Sequence, residues 1–171
     1  GTAHRAHAST AVIAEFFPST KFFGLLMENE LIAIDKVLKS GEKPVTAILG
    51  GSKVSTKITI IENILPAIDN LIIGGGMSFT FIKALGGKIG KSIVEDDKLS
   101  LALEILEKAK EHNVEVYLPT DVIIADDFNN EADRKECDIR EIPEDWQGLD
   151  AGPKSRAIFN DVLLNSRTIL W

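Results

Sequence analysis

The sequence predicts an α/β fold of three layers, in which a parallel β-sheet has helices on both faces. Two observations predict it. Short runs of apolar and β-branched residues, typical of strands buried on both faces, alternate with segments of helical periodicity. Glycine-rich turns repeatedly connect such a run to the following helix. The length of 171 residues, with 44% hydrophobic residues, suits one domain around one core.

The first predicted element is a helix that precedes the sheet. Residues 8–23 are broken at Pro18 and read as a connector without a firm assignment. Over residues 25–39 the apolar residues recur at roughly helical spacing, and Gly41 follows the basic end of this segment. This pattern predicts a helix with a C-terminal stop.

A unit of strand, glycine turn and helix then occurs twice in succession. Each strand is a short apolar run that ends directly at glycines, and each helix starts shortly after them. The first unit consists of a strand at Val45–Leu49, the turn Gly50-Gly51 and a helix at 55–65 that Pro66 ends. The second consists of a strand at Asn70–Ile73, the turn Gly74-Gly75-Gly76 and a helix at 77–85. Consecutive units of this kind place their strands side by side and parallel.

The remainder of the chain continues the alternation. Residues 97–113 form the best amphipathic helix, with an apolar stripe opposite Glu and Lys residues. The later elements are strand-like runs at 114–118 and 122–125, a polar loop or hairpin at 126–144, a helix at 155–164 and a strand at 168–171. Because the chain opens with Gly1 and stops in an apolar run, we expect a Rossmann-like sheet that is incomplete at both ends, in a piece of a longer protein.

The composition argues against several classes of function. Nineteen Lys and Arg residues against 26 Asp and Glu residues give a net charge of −7, which disfavours sequence-independent binding of nucleic acid or of an anionic membrane surface. No apolar stretch reaches the roughly 18 residues of a membrane span. The single cysteine, Cys137, allows no internal disulfide and no zinc cluster of several thiolates, and it favours the cytoplasm.

Three predicted strand ends are glycine-rich, and ligands of open parallel sheets bind at such ends. They are Gly50-Gly51-Ser52-Lys53, Gly74-Gly75-Gly76-Met77 and the segment from Gly148 to Pro153. Without side chains, backbone N–H groups can approach a phosphate or a flat ring closely, and a helix N-terminus adds about half a positive charge. Ordinary tight turns have the same composition, so the glycines alone do not decide between the two interpretations.

Lys53 and Lys57 make the first glycine turn the stronger candidate for an anion site. Their i, i+4 spacing would place both ammonium groups on one face of the predicted helix, close to its N-terminus. Cations are unfavourable there unless an anion occupies the site. The alternative is a solvated lysine face, with Glu62 about one turn away.

The first residues of the chain contain a second candidate anion site, Arg5 with the flanking His4 and His7. An arginine offers a planar fork of donors for a carboxylate or a phosphate, whereas the alternative is a frayed terminus without a role. Zinc binding is discounted here because no third ligand is nearby and His112 ends a distant surface helix. The pair Asp126-Asp127 could hold Mg²⁺, although a solvated loop is the favoured interpretation.

Several well-known motifs are not matched. Residues 86–92 resemble a phosphate-binding loop, but one glycine lies a position too close to the Gly-Lys pair and no strand precedes it. None of the glycine clusters has the G-x-G-x-x-G spacing of dinucleotide-binding folds, so no motif supports nicotinamide or flavin binding. No Ser/His/Asp or Cys/His arrangement supports nucleophilic hydrolysis.

Taken together, four motifs resemble those of phosphoglycerate kinase, in the same order and at similar spacing. They are Gly1 to Ser9, Gly50 to Lys57, Gly74 to Met77 and Gly148 to Pro153. The resemblance covers the whole chain and is strongest to bacterial members. It implies a glycolytic enzyme of two domains, typically monomeric, that transfers a phosphoryl group from 1,3-bisphosphoglycerate to ADP and yields 3-phosphoglycerate and Mg-ATP.

The resemblance also implies roles for particular residues. Arg5, with His4 beside it, corresponds to a substrate-binding arginine of the first domain. Lys53 and Lys57 correspond to the catalytic pair that faces the transferring phosphoryl group and the nucleotide phosphates. The implied nucleotide-binding residues are Lys57, Gly51, Gly75, Gly76 and Gly148. Residues 1–24 would end the substrate domain, 25–41 would form the interdomain hinge helix, and 42–171 would form most of the nucleotide-binding domain.

The chain also departs from the family pattern. Most of the first domain is missing, and so is everything after Trp171, including a glutamate that holds the ribose and a Gly-Gly-Gly-Asp turn whose aspartate helps to hold Mg²⁺. We therefore expect a central piece of such an enzyme that is inactive alone. The alternatives are a nucleotide-binding α/β module without catalysis and a purely structural α/β domain.

Overall fold

The structure, a computed structural model, describes residues 7–171 and separates into two compact units, one ending at Gly41 and the other spanning Glu42–Trp171. In the first unit, a short 3₁₀ helix at Val12–Phe16 precedes helix α1 at Leu25–Ser40. The helix predicted for 25–39 is thereby confirmed. It ends at Gly41, whose N–H donates to the Val37 carbonyl at 3.1 Å.

The second unit contains nine strands and four helices within its described residues. In chain order they are β1 (Val45–Leu49), α2 (Ile58–Ile64), β2 (Asn70–Ile73), α3 (Met77–Ala84), β3 (Lys88–Ile89), α4 (Leu99–Glu111), β4 (Glu115–Tyr117), β5 (Asp121–Ala125), β6 (Arg134–Asp138), β7 (Glu141–Ile142), β8 (Gln147–Ala151), α5 (Pro153–Leu164) and β9 (Thr168–Leu170). Short 3₁₀ helices lie at Leu65–Ala67 and Asp96–Lys98.

A parallel sheet of four strands in the order β4-β2-β1-β9 forms the centre of this unit. Its two inner strands are nearly continuous runs of apolar residues because both of their faces are covered. Ala47, Leu71 and Ile73 are fully buried, and α4 buries its small and apolar stripe at Ala102, Ile105 and Ala109. The predicted α/β fold, a parallel sheet flanked by helices, is confirmed.

A second, antiparallel sheet in the order β6-β5-β8 departs from the sequence expectation. The run at 122–125 is a strand as predicted, but it pairs antiparallel with both of its neighbours instead of joining the parallel sheet. The short connection at 126–133 explains the pairing with β6, because a short hairpin connection permits only antiparallel pairing. A separate core lies under this sheet, formed by Phe79, Ile82, Ile89, Val122, Ile124, Ile139 and Ile142.

Two predicted helix starts also shift. Helix α2 begins at Ile58 rather than at residue 55, because residues 54–57 form a turn. Helix α4 begins at Leu99 because Asp96–Lys98 adopt a 3₁₀ turn ahead of it. Within residues 7–171, none of the helices combines the length and the apolar character that crossing a bilayer requires.

Candidate functional site

The candidate site lies at the carboxyl edge of the parallel sheet, where β1 and β2 end side by side. Leu49 and Ile73 are partners in the register of these two strands, so the turns that follow them are neighbours. The Gly74 N–H donates to the Leu49 carbonyl at 2.8 Å, and the Met77 N–H donates to the Gly51 carbonyl at 2.7 Å. The first two glycine turns predicted from the sequence therefore form one continuous surface of backbone.

The two turns pack so closely that a side chain would not fit between them. Gly75 has a φ of +65°, and a Cβ on it would lie 2.9 Å from the Gly51 nitrogen. Gly51 itself has a φ of +136°, and a Cβ on Gly76 would lie 2.5 Å from Cγ2 of Ile93. Left-handed backbone and close approach both require glycine at this edge.

The two lysines are not arranged on a helix face as their spacing predicts. Since α2 begins at Ile58, Lys53 lies in the preceding loop and Lys57 is the residue immediately before the helix. A local turn replaces the expected helical geometry: the Lys57 N–H donates to the Val54 carbonyl at 2.9 Å. Val54 is fully buried and fixes the middle of this turn.

The turn nevertheless brings one lysine against the glycines. Lys57 is half-buried, and its Cε lies 3.8 Å from the position that a Cβ on Gly51 would occupy. Its aliphatic chain therefore runs across the Gly51 turn. Lys53 is exposed on the loop.

The charge of both lysines is left without an acidic partner within the described part of the chain. None of the ion pairs formed among residues 7–171 includes Lys53 or Lys57. Glu62, the partner in the alternative interpretation, is bound instead to Lys108 of α4. The ammonium groups are thus available to an anionic ligand.

A carboxylate that the sequence does not single out holds the lysine turn in place. Glu95 accepts hydrogen bonds from the Ser55 N–H at 3.0 Å and from the Ser55 Oγ at 2.5 Å. Burial alone would raise the pKa of Glu95, but these hydrogen bonds outweigh it and hold the pKa below its ordinary value. Forty positions separate the two residues, so no local pattern could have revealed the pair.

A small, mostly apolar cleft of about 60 Å³ opens beside the glycine turns. The start of α3 forms one wall and the antiparallel sheet forms the other. Its lining residues are Gly75, Ser78, Phe79, Pro119, Val122, Ile139, Leu149, Asp150 and Ala151. A mostly apolar lining with a few polar groups, here Ser78 and Asp150, suits a flat organic ring. Of these residues, Gly75 was a candidate on sequence grounds, and Leu149, Asp150 and Ala151 belong to the segment from Gly148 to Pro153 that the sequence also singles out.

Gly148 has a different setting from the one predicted. We expected it in a turn at a strand end, but it is a buried residue of β8. A Cβ on Gly148 would lie 2.2 Å from Cζ of Phe79, and its N–H donates to the Ser92 Oγ at 2.8 Å. Gly148 therefore allows β8 to pack on Phe79, which lines the cleft.

Other sequence candidates add nothing to this geometry. Arg5 and His4 lie outside the described residues. Among residues 7–171, no group of three or more His, Cys, Asp or Glu side chains is placed to hold a metal ion. Asp126 and Asp127 therefore have no third ligand among these residues. The described residues therefore form no metal site made of protein ligands alone, whereas Mg²⁺ bound with a nucleotide needs only one or two protein carboxylates.

The sequence and the fold are similar to those of known proteins. The chain is 57% identical to a phosphoglycerate kinase of Porphyromonas gingivalis over 172 residues, which cover 100% of the chain and 41% of that relative. A phosphoglycerate kinase structure from Coxiella burnetii superimposes with a TM-score of 0.83 at 40% identity, covering 86% of this chain and 38% of that one. One from Pyrococcus horikoshii OT3 gives a TM-score of 0.74 at 25% identity, covering 98% and 42%.

The chain thus spans less than half of the length of the relatives it matches. The match to the family is nonetheless continuous along this sequence. The family model described as phosphoglycerate kinase covers residues 1–171. The chain belongs to the phosphoglycerate kinase family.

Proposed function

We propose that the chain is the central part of a phosphoglycerate kinase that transfers a phosphoryl group between 1,3-bisphosphoglycerate and ADP, giving 3-phosphoglycerate and ATP in glycolysis. The observation that carries this proposal is the meeting of Gly51, Gly75 and Lys57 at one edge of the sheet, beside an apolar cleft. A ring site and a cationic, backbone-lined surface lie next to each other there, which is the arrangement that a nucleotide needs.

We infer the orientation of the nucleotide from this arrangement. The adenine ring would enter the cleft between Gly75 and Leu149, because the lining is mostly apolar. The phosphates would lie over the Gly51 turn, which the Lys57 side chain crosses. Gly76 belongs to the same turn surface, and Gly148 would act indirectly, by letting Phe79 pack against the sheet.

The chemical role proposed for Lys53 and Lys57 is stabilisation of charge on the transferring phosphoryl group. Phosphoryl transfer needs little covalent help from protein, so positioned positive charge supplies most of the catalysis. Both lysines are without carboxylate partners among residues 7–171, which leaves their charge available to the phosphates. Arg5 and His4 would bind the phosphoglycerate, as the family motif implies.

Family members use the nucleotide together with Mg²⁺, and we propose the same here. Such a metal would be held largely by phosphate oxygens and water, and it would offset charge on the phosphates. The aspartate that helps to hold it in the family is not among these 171 residues.

The proposed organisation follows the same family pattern. Residues 1–24 would complete the substrate domain, 25–41 would form the hinge helix, and 42–171 would form most of the nucleotide domain. We propose a monomer in the cytoplasm for the full-length enzyme. The single cysteine is consistent with a reducing compartment.

The test is Lys57→Ala in a full-length enzyme that carries these residues, assayed for phosphoryl transfer from Mg-ATP to 3-phosphoglycerate. We expect kcat to fall about 10²–10³-fold, because a positioned charge at the transferring group is lost. Lys110→Ala is the matched control, since Lys110 is an exposed lysine of α4, and it should retain wild-type turnover.

Unchanged turnover and unchanged nucleotide affinity in Lys57→Ala would contradict the role given to this lysine. Nucleotide binding by a wild-type enzyme that shows no turnover would instead favour the alternative of a nucleotide-binding module without catalysis.

A further inference from the structure

The loop of residues 52–57 carries both lysines and is not helical. The positions of Lys53 and Lys57 therefore depend on the contacts that hold this loop, and not on the regular geometry of α2. Ser55 lies midway between them. Its N–H and its hydroxyl both bind the carboxylate of Glu95, one to each oxygen, at 3.0 Å and 2.5 Å.

Two hydrogen bonds to one carboxylate fix the orientation of Ser55 as well as its position. A single bond would leave the peptide free to rotate about it. With Val54 fully buried next to it, the loop is held at two consecutive residues between the lysines. A small displacement at Ser55 would be passed on to both ammonium groups.

Glu95 is itself bonded to α3, the helix that follows the second glycine turn. Its N–H donates at 3.2 Å to Oγ1 of Thr80, which is fully buried in α3. Helix α3 starts at Met77, directly after Gly74-Gly75-Gly76. Glu95 thereby connects the lysine loop to the helix that follows the other half of the site.

Glu95 does not neutralise the lysines that it positions. None of the ion pairs among residues 7–171 involves Glu95. Its negative charge is stabilised by the donors of Ser55, so the lysine charges remain free for phosphates. Such an arrangement separates the task of holding the loop from the task of binding the anion.

We propose that Glu95 is a positioning residue for phosphoryl transfer, which acts through Ser55 to set Lys57 against the Gly51 turn and to hold Lys53 on the same loop. This inference rests on the proposed function. It assigns to Glu95 an effect on nucleotide binding and turnover that a merely stabilising residue would not have.

The test uses the full-length enzyme with Glu95→Ala, and Asp97→Ala as the matched control. Asp97 is an exposed carboxylate two positions away that pairs with Lys98, so its loss should leave both KM values and kcat at the wild-type level. For Glu95→Ala we expect a fall in kcat of about 10–100-fold and a raised KM for the nucleotide, because the lysines are misplaced. The KM for 3-phosphoglycerate should not change.

Glu95→Gln provides the rescue. Its amide oxygen can accept the Ser55 N–H and its NH₂ can donate to the Ser55 oxygen, so most of the turnover should return. If Glu95→Ala does not fold, Ser55→Ala replaces it; it keeps the backbone bond, and we expect a smaller change in the same direction.

Each of the following outcomes would overturn the inference. Glu95→Ala could behave like Asp97→Ala. It could instead lose kcat only in proportion to its folded fraction, with both KM values unchanged and no recovery in Glu95→Gln. A wild-type enzyme without turnover would overturn the proposed function and this inference together, whereas an active enzyme that needs Lys57 but not Glu95 would overturn this inference alone.

Discussion

At the scale of a single residue, Gly75 shows that the site requires a residue without a side chain. The sequence pattern predicts a glycine turn after β2, and the rule for parallel strands places that turn at the same edge as Gly50-Gly51. The direct contact of Gly75 with Gly51 could not be predicted, because it depends on the register of Leu49 with Ile73. The packing between the turns is a tertiary property.

The lysines illustrate the opposite case. Their i, i+4 spacing predicts a shared helix face, but burial of Val54 and the bonds from Ser55 to Glu95 stabilise a turn instead. The conclusion that positive charge collects at this turn does not need the helix. The residue types were informative, whereas the local geometry assigned to them was wrong.

We predict that Gly75→Ala destabilises the protein by about 1–3 kcal/mol, because its Cβ would enter the Gly51 backbone and its φ is positive. Gly74→Ala is the control, since a Cβ there meets nothing within 4 Å. Urea titrations of the two variants measure the difference. Equal unfolding midpoints for both would show that the turns are not packed as described.

At the scale of elements, the start of α5 depends on a residue of another strand. Asp121 of β5 is buried and accepts the N–H groups of Lys154 at 2.9 Å and Ser155 at 2.7 Å, together with the Ser155 hydroxyl at 2.6 Å. The helix itself is predictable from its periodicity. Its cap is not, because Asp121 is far from Ser155 in sequence.

The antiparallel pairing of β5 could not be predicted for a similar reason. The apolar run shows that a strand exists, but nothing in its own residues selects the neighbours on either side. Only the polar hairpin that leads to β6 carries that information, and its strand is mostly exposed. Strands are recognised in a sequence by their buried apolar residues, so a mostly exposed strand such as β6 is not detected.

Asp121 makes stability depend on pH. Burial would raise its pKa, but its hydrogen bonds outweigh burial and lower the pKa below the ordinary value. A carboxyl group with a lowered folded-state pKa stabilises the fold above its unfolded pKa, which is about 3.9. That contribution disappears as the pH falls through the lower, folded-state pKa.

We therefore predict that Asp121→Asn loses about 1–3 kcal/mol of stability at pH 7, because a buried acceptor for N–H groups is replaced by an amide. Its unfolding free energy should also depend less on pH in the acid range than that of the wild type. Denaturant titrations at pH 7 and across the acid limb test this, with the exposed Asp145→Asn as control. Parallel pH profiles for wild type and Asp121→Asn would refute it.

At the scale of the whole molecule, the alternation of strands and helices is enough to predict the fold class. It does not reveal that the chain has two compact units or a second sheet. Because the net charge of the chain is −7, the proposed binding of nucleotide phosphates would require a local concentration of positive charge, which Lys53 and Lys57 would supply.

The chain matches 41% of the length of its curated relative, so we predict that the purified 171-residue protein does not turn over 3-phosphoglycerate and Mg-ATP. The reason is that substrate and metal contacts implied by the family lie outside it. A coupled assay of ADP production, run beside the full-length enzyme, measures this. Sustained turnover by the 171-residue chain would show that these contacts are dispensable.

The most direct measurement is a crystal structure of the full-length enzyme with Mg-ADP. We predict that the adenine ring lies in the cleft between Gly75 and Leu149, and that phosphate oxygens lie about 3 Å from Nζ of Lys57, over the Gly51 turn. A nucleotide bound at any other surface, with Lys57 extended into solvent, would contradict the account.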